Sequence, residues 1–293
     1  MNSNKSISVL QRATISMVQA QPYPYLIIAD ALPAELALQL TNEFPLVLFN
    51  TYKKNLNDTN NKRIDITIAD SRKIDAIPPI WREFLEYHSS AEFMQEVLTI
   101  FGAHITAAFP KYYPNQAALN NLTAGLKGID DFTQADLVLD TAISINTPVS
   151  KVSAVRAIHT DHGDKLFSGL FYLRRPEDDS TGGNLQILKW KDGYTHLQKR
   201  MLYEEGVNPK HTELVKEIKY SNNVFVLFIN SLDALHAVTP RAITSHDRTF
   251  VNFVGASKHK LFRKELSIAK KIRSIFSGKS AASTKKDSEN QAY

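Results

Sequence analysis

Six apolar segments of β-strand character follow one another between residues 137 and 256, and this run constrains the fold more than any other feature. In order they are LVLDTAISI, KVSAVRAIH, LFSGLFYLR, NLQILKW, EIKYSNNVFVLFI and RTFVNFVG, separated by Gly, Asn, Asp and Pro. Val, Ile, Phe and Tyr favour strands, whereas the separating residues favour turns. Because no long helix intervenes, we predict an antiparallel sandwich or barrel over residues 137–257.

The preceding residues, 22–136, are predicted to form a mainly helical support packed on that core, which makes the fold class α+β. A helix is expected to begin at Pro33, which suits a first helical turn, and to end at Pro45. Polar residues dominate positions 46–75. Loops and short edge strands are therefore expected there.

Two further helices are expected in this support. The first covers Pro79 to about Tyr87. The second begins after Ser89, where the spacing to Glu92 fits a capping box, and Gly102 is its predicted end.

The composition limits the chemistry that the chain can perform. Its 293 residues, 43% of them apolar, suffice for a sizeable core, and they include no cysteine. Disulfides, thiolate zinc sites and a cysteine nucleophile are therefore excluded, and a bound metal must take nitrogen and oxygen ligands. Residues 1–21 have no continuous apolar stretch and are expected to be flexible, without a signal peptide. No run approaches the roughly 20 apolar residues of a membrane span, so a cytoplasmic protein is expected.

Basic residues are concentrated at the C-terminus. Residues 258–293 contain ten Lys or Arg and three acidic residues, a net charge of +7. The whole chain has a net charge of +5, so residues 1–257 have a net charge of −2. The charge belongs to a tail and does not predict a nucleic-acid partner. We predict a basic amphipathic helix at 258–276, which covers the fold or docks weakly on an anionic membrane surface or a partner, and a disordered tail at 277–293.

His159, Asp161 and His236 form the candidate metal site. His159 and Asp161 stand two apart in a predicted strand, so both side chains project to one face. His236 comes later, after the apolar strand VFVLFIN. Two His and one Asp are the facial triad of non-haem iron(II) enzymes, which leaves three coordination positions open for a 2-oxo acid and O2. The alternative is a hydrogen-bonded polar cluster inside the β core.

Arg248 and Tyr172 are candidates for binding a co-substrate. Arg248 opens the alternating segment RTFVNFV with a guanidinium that suits the distal carboxylate of 2-oxoglutarate. Tyr172 could donate a hydrogen bond from its phenol to the same carboxylate. The alternative role for Tyr172 is that of an ordinary aromatic residue of the core. Arg156 is a further candidate for a carboxylate of co-substrate or substrate, with a surface ion pair as the alternative. His162 and His246 are expected to be solvated.

Residues 137–256 resemble the 2-oxoglutarate- and Fe(II)-dependent dioxygenases, specifically bacterial members of the prolyl-4-hydroxylase-like branch. The resemblance is carried, in order, by His159-Thr-Asp161, GLFYLRRPEDDSTGGNLQIL, NSLDALHAVTP and Arg248-Thr-Phe. The resemblance implies that His159, Asp161 and His236 bind Fe(2+). It implies that Arg248 and Tyr172 bind 2-oxoglutarate.

Two details of the resemblance concern the turns around the site. Gly182 and Gly183 correspond to the family's glycine turn, where positive φ is expected. The interval from His236 to Arg248 is longer than is common in the branch, which leaves Arg241 as the alternative to Arg248. Arg241 directly follows a proline and lacks a strand to orient it.

The resemblance also implies a double-stranded β-helix, a jelly-roll or cupin-like barrel, and a hydroxylase. In that family 2-oxoglutarate is decarboxylated to succinate and CO2 while O2 oxidises a substrate C–H bond. The presence of Asp161 favours hydroxylation over halogenation, because halogenating members carry a small residue there. Two other classes stay open: a non-catalytic metal- or sugar-binding β-barrel module and a cupin-type metal-dependent isomerase. The residues do not indicate whether the substrate is a small molecule, a saccharide or a peptide.

Overall fold

The structure, a computed structural model, describes residues 7–203 and 206–264. It confirms the α+β class with a mainly β core. The helices are α1 Ala34–Asn42, α2 Leu46–Lys54, α3 Ile68–Ser71, α4 Pro79–His88, α5 Ala91–Ala108, α6 Gln116–Asn120 and α7 His196–Leu202. The strands are β1 Tyr25–Ala29, β2 Arg63–Ile66, β3 Ala124–Leu126, β4 Leu137–Asn146, β5 Lys165–Tyr172, β6 Leu185–Trp190, β7 Thr212–Ile218, β8 Val224–Ile229, β9 Leu235–Val238 and β10 Arg248–Ser257.

Seven strands form a major sheet in the order β1-β8-β5-β10-β4-β2, with β3 paired to β4. All of these pairs are antiparallel except that of β3 with β4. The register places Phe250 opposite Tyr172 on one side and Ser144 on the other, and it places Arg248 opposite Asn146. Directly opposed residues share a face of a sheet, so these five side chains project to the same side.

Alternation along the strands gives the major sheet two buried faces. In β8, Phe225 and Leu227 pack in one apolar cluster, whereas Val226 and Phe228 pack in another on the opposite face. Helices α4 and α5 cover the first face through large, fully buried aromatic residues. These are Trp81, Phe84, Phe93 and Phe101.

A minor sheet, in the order β7-β6-β9, lies against the second face. Leu185 and Ile187 of β6 belong to the same apolar cluster as Val226 and Phe250 of the major sheet. The two sheets therefore sandwich a common core. Among the described residues they remain separate, open sheets, so the expected barrel is not closed by hydrogen bonds.

The helical support differs from expectation in three ways. It contributes strands β1, β2 and β3 to the major sheet. Residues 46–75 contain the expected edge strand, β2, but also helices α2 and α3, and α2 buries Phe49 against Phe44 with 6.2 Å between ring centroids. Helix α5 continues through Gly102, where an added Cβ would lie 1.9 Å from Oε1 of Gln116 in α6. This glycine permits helix packing and does not end the helix.

Two of the six predicted strand segments are not single strands. KVSAVRAIH makes only isolated bridges, one of which joins His159 to His236. EIKYSNNVFVLFI contains the end of β7 and all of β8, interrupted at Asn223, whose φ is +58°. The Asn223 side chain accepts from the N–H of Leu32 at 3.0 Å and donates to its carbonyl at 2.9 Å, so a tertiary contact fixes the turn.

The terminal segments also depart from expectation. Residues 7–10, expected to be flexible, are buried, and the N–H of Val9 donates to Nε2 of His88 at 3.1 Å. Residues 258–264, expected to be helical, are irregular. The remainder of the predicted basic helix and the predicted tail at 277–293 lie outside the described residues. Within the described ranges, no helix is long and apolar enough to cross a membrane.

Candidate functional site

The three candidate metal ligands come together on the edge of the minor sheet. His159 and His236 exchange backbone hydrogen bonds of 3.0 and 2.9 Å, which extends the edge at β9 by one residue. Asp161 lies in the connection between this bridge and β5. Ligand atoms of the three residues all lie within 4.8 Å of one another. Each residue is less than 10% exposed, so the cluster is nearly enclosed by protein.

Both imidazoles are oriented by their own backbone. His159 Nδ1 lies 2.8 Å from the carbonyl oxygen of Ala157, and His236 Nδ1 lies 3.0 Å from that of Ala234. A carbonyl oxygen can only accept, so each Nδ1 carries the proton and each Nε2 keeps its lone pair for a ligand. Burial lowers the pKa of His159 to about 3 and also lowers that of His236. Both rings are therefore neutral near pH 7, the form that binds metals.

Asp161 is held by a relay of two buried polar side chains. Ser168 Oγ donates to Asp161 Oδ2 at 2.5 Å, and Asn230 Nδ2 donates to Ser168 Oγ at 2.9 Å. Lys165 Nζ lies 3.7 Å from the same Oδ2. Burial by itself would raise the pKa of Asp161, but the ammonium of Lys165 and the hydrogen bond from Ser168 hold it well below its usual value. The carboxylate is thus ionised, with Oδ1 facing His159 Nε2 at 4.0 Å.

A second group of polar atoms surrounds Arg248, which is only 2% exposed. Arg248 Nη1 donates to Asn146 Oδ1 at 3.0 Å. Four other buried donors have no hydrogen-bond partner among the described residues: Nε and Nη2 of Arg248, Nδ2 of Asn146 and Oη of Tyr172. Burial raises the pKa of Tyr172, against the influence of Arg248, so the phenol keeps its proton. Unpaired buried donors are costly, and four together form a cluster whose chemistry suits an anion; we refer to this cluster as the anion pocket.

Aromatic rings and a glycine shape this anion pocket. The Arg248 guanidinium carbon lies 4.8 Å from the ring centroid of Tyr172, 5.0 Å from that of Tyr220 and 4.9 Å from that of Phe250. Gly183 has φ of +74°, and a Cβ there would lie 3.1 Å from both Cδ and Nε of Arg248. The absent side chain leaves room beside the unpaired Nε. Positive φ at Gly183, expected from the glycine turn, is confirmed, as it is at Gly182.

The structure separates the roles of Arg241 and Arg248. Arg241 is also buried, but its Nη1 donates to the carbonyl of Thr147 at 2.9 Å and to Asn61 Oδ1 at 3.1 Å. Its Nη2 donates to the carbonyl of His246 at 2.8 Å. These partners occupy its guanidinium in tying loops together. Arg248 is therefore the arginine with donors available for a ligand.

The other residues singled out in the sequence are exposed or half-buried. Arg156 is exposed and has no hydrogen-bond or ion-pair partner within the described ranges. His162 is exposed as expected, whereas His246 is half-buried, with Nε2 3.8 Å from Asp179 Oδ1. The sequence did not single out four residues that complete the site, because they reach it only through strand pairing and packing. These are Asn146, Ser168, Tyr220 and Asn230.

Comparison with known proteins gives distant structural likenesses only. No protein-family model matches the chain, and no curated protein matches it. A prolyl-4-hydroxylase from Pseudomonas putida is 14% identical, with a TM-score of 0.45 over 83% of this chain and 98% of that one. A 2OG-Fe(II) oxygenase family oxidoreductase from Burkholderia pseudomallei is 14% identical, with a TM-score of 0.37 over 83% and 88%. A prolyl hydroxylase from Trichoplax adhaerens, in complex with a peptide fragment, is 14% identical, with a TM-score of 0.42 over 83% and 89%. Likenesses at this distance do not assign an activity.

Proposed function

We propose that this protein is an Fe(II)- and 2-oxoglutarate-dependent dioxygenase that hydroxylates a C–H bond of its substrate. The observation that carries the proposal is the set of four unpaired buried donors around Arg248, close to a His-Asp-His cluster. Ser168, which holds Asp161, and Tyr172, which borders the pocket, both lie on β5. They are four residues apart, so both point to the same face of the sheet. A metal cluster alone would require no such pocket.

The donor set fits iron(II). Two neutral imidazoles and one ionised carboxylate are nitrogen and oxygen ligands that leave three positions of an octahedral ion open. His159, Asp161 and His236 would hold the metal, and the backbone carbonyls of Ala157 and Ala234 would keep the imidazoles oriented. The two facing sheets suit a double-stranded β-helix, the barrel that we propose for residues 137–257.

The pocket around Arg248 fits the distal carboxylate of 2-oxoglutarate. Nε and Nη2 of Arg248 can donate side by side to its two oxygens, and Tyr172 Oη and Asn146 Nδ2 can complete the set. The rings of Tyr172, Tyr220 and Phe250 would exclude water and so strengthen these charge-assisted bonds. When bound, iron(II) and 2-oxoglutarate would, with O2 as the oxidant, supply oxidative decarboxylation to succinate and CO2 together with hydroxylation of a substrate C–H bond.

The proposal is tested by anaerobic addition of iron(II) and then 2-oxoglutarate. We expect the weak visible charge-transfer band of the chelate, followed by O2 uptake and succinate release when air is admitted. His236→Ala should abolish the band and succinate release, whereas the control His246→Ala should keep both. If folded wild-type protein gives no band, or if His236→Ala releases succinate at the wild-type rate, the assignment is wrong. A metal-dependent isomerase would consume no O2.

A further inference from the structure

Three cationic side chains from separate segments lie around the segment that carries His159 and Asp161. Arg156 precedes it, exposed and without a hydrogen-bond or ion-pair partner within the described ranges. Lys165 of β5 lies 3.7 Å from Asp161 Oδ2, with about a quarter of its side chain exposed. Lys264, near the end of the described chain, donates to the carbonyl oxygen of Thr160 at 2.5 Å. We refer to Arg156, Lys165 and Lys264 as the basic rim.

Lys264, one member of the basic rim, is held in place by contacts of its own segment. The N–H groups of Leu261 and Phe262 both donate to the carbonyl of Gly163, which lays residues 261–264 across the connection between Asp161 and β5. The ammonium of Lys264 also lies 5.4 Å from the ring centroid of Tyr203. Tyr203 Oη in turn accepts from the N–H of Thr160 at 2.9 Å. Lys264 is thus positioned against the segment that carries His159 and Asp161.

A count of formal charges shows that the basic rim is not needed to balance the proposed metal and co-substrate. Iron(II) contributes two positive charges and Arg248 contributes one. Asp161 contributes one negative charge, and the dianion 2-oxoglutarate contributes two negative charges. Metal-bound imidazoles are neutral. These charges cancel. Within residues 7–203 and 206–264, the rim then adds three positive charges, against one from the neighbouring exposed carboxylate of Asp164. These described side chains therefore leave a net positive charge beside the metal cluster, and such a charge attracts anions.

We propose that the substrate is a small anion, which binds the basic rim through a carboxylate or phosphate group and places a nearby C–H bond at the metal. This inference rests on the proposed function and deepens it by naming the substrate class. Arg156 has all of its guanidinium donors available for such a group, in the planar arrangement that suits carboxylate and phosphate oxygens. Lys165 and Lys264 would add two further positive charges, next to Asp161 and Thr160 respectively.

Binding of inorganic phosphate to protein loaded with Mn(II) and saturating 2-oxoglutarate tests this inference. The paramagnetic ion should broaden the phosphorus-31 signal of phosphate in a saturable way. Arg156→Gln should weaken phosphate binding about tenfold, the effect of losing a charge-assisted interaction. Lys264→Gln should also weaken it. Arg12→Gln, which removes an exposed arginine from the N-terminal segment, is the matched control and should bind phosphate as the wild type does. The same titration with carboxyl-labelled acetate gives the preference between carboxylate and phosphate.

Three results would overturn the inference. Wild-type protein could show no saturable broadening by phosphate or acetate. Saturable broadening could occur only in protein without 2-oxoglutarate, which would place the anion in the co-substrate pocket. Arg156→Gln could bind as tightly as Arg12→Gln. Measurement of the iron(II)–2-oxoglutarate band on the same preparations separates the two proposals, because a normal band without phosphate binding rejects the anionic substrate and leaves the oxygenase assignment standing.

Discussion

Removal of one oxygen atom, in Tyr172→Phe, should have opposite effects on stability and on co-substrate binding. Tyr172 is fully buried, and its ring packs in the cluster between the two sheets. Its Oη has no hydrogen-bond partner among the described residues. Phenylalanine keeps the ring and removes only the unpaired hydroxyl, so the packing of the core should not change.

The magnitudes follow from the cost of an unpaired polar group. A buried hydroxyl without a partner costs about 1–3 kcal/mol, so the free energy of unfolding of the ligand-free variant should stay equal or rise by about 1 kcal/mol. In the complex, the hydroxyl should donate to a charged carboxylate, an interaction of about 1.5 kcal/mol. Its loss should therefore weaken 2-oxoglutarate binding about tenfold.

Tyr220→Phe is the matched control, because Tyr220 packs on the same guanidinium with its hydroxyl engaged in the protein. Tyr220 Oη accepts from the backbone N–H of Thr249 at 2.9 Å and lies 3.3 Å from Thr249 Oγ1. Its removal leaves a buried N–H unpaired, so unfolding should become easier by about 1–3 kcal/mol. The affinity for 2-oxoglutarate should change little.

Urea unfolding of the ligand-free proteins and anaerobic titration with 2-oxoglutarate measure the two quantities. The prediction is wrong if Tyr172→Phe lowers the free energy of unfolding by more than about 1 kcal/mol while the affinity for 2-oxoglutarate stays at the wild-type value. That pattern would make the Tyr172 hydroxyl a structural group and remove one of the four donors from the pocket.

Three further predictions concern other parts of the molecule. Ser168→Ala removes the hydrogen bond that orients Asp161 and should weaken metal binding about tenfold or more, as measured by competition with a fluorescent chelator. His88 is fully buried, and burial lowers its pKa to about 3. In the unfolded chain His88 is exposed and can take up a proton. Its contribution to the free energy of unfolding is therefore complete above about pH 6.5 and falls as the pH drops towards 3. Urea unfolding should show this contribution to be about 2 kcal/mol smaller at pH 5. Gly183→Ala places a Cβ at positive φ beside Arg248 and should destabilise the protein by about 1–2 kcal/mol while weakening 2-oxoglutarate binding, both measured as for Tyr172→Phe.

Each of these predictions has a specific contrary outcome. Unchanged metal affinity in Ser168→Ala would show that the Asp161 carboxylate needs no orienting group. A His88→Gln variant should lose the part of the pH dependence that His88 causes. If the variant and the wild type lose equal stability between pH 7 and 5, His88 is not the group responsible. A Gly183→Ala protein with wild-type stability and wild-type 2-oxoglutarate affinity would show that neither positive φ nor the space beside Arg248 matters.

The sequence by itself determined the types of side chain at the site and the alternation of the strands. A His, an Asp and a second His that offer only nitrogen and oxygen ligands could be identified without coordinates. The strand pattern over residues 137–257 predicted a mainly β core, because period-two alternation is a local property of the chain. Positive φ at Gly183 was likewise predictable, since a glycine turn has a local signature.

Other features depended on contacts between residues far apart in the sequence. Gly102 has the local signature of a helix end, but α5 passes through it because the glycine makes room for Gln116. Asn146 joins the anion pocket because the register of β4 and β10 places it opposite Arg248. The sequence favoured Arg248 over Arg241 because Arg248 opens a strand. Which of the two keeps unpaired donors depends on their partners in the folded protein.

The physical reason is that an unpaired donor is a property of the whole environment of a buried atom. Local sequence fixes which groups a side chain carries and which face of a strand it occupies. Tertiary packing decides whether each donor meets an acceptor. It pairs the guanidinium of Arg241 with backbone carbonyls and leaves Arg248 with two donors free, and that difference carries the proposed function.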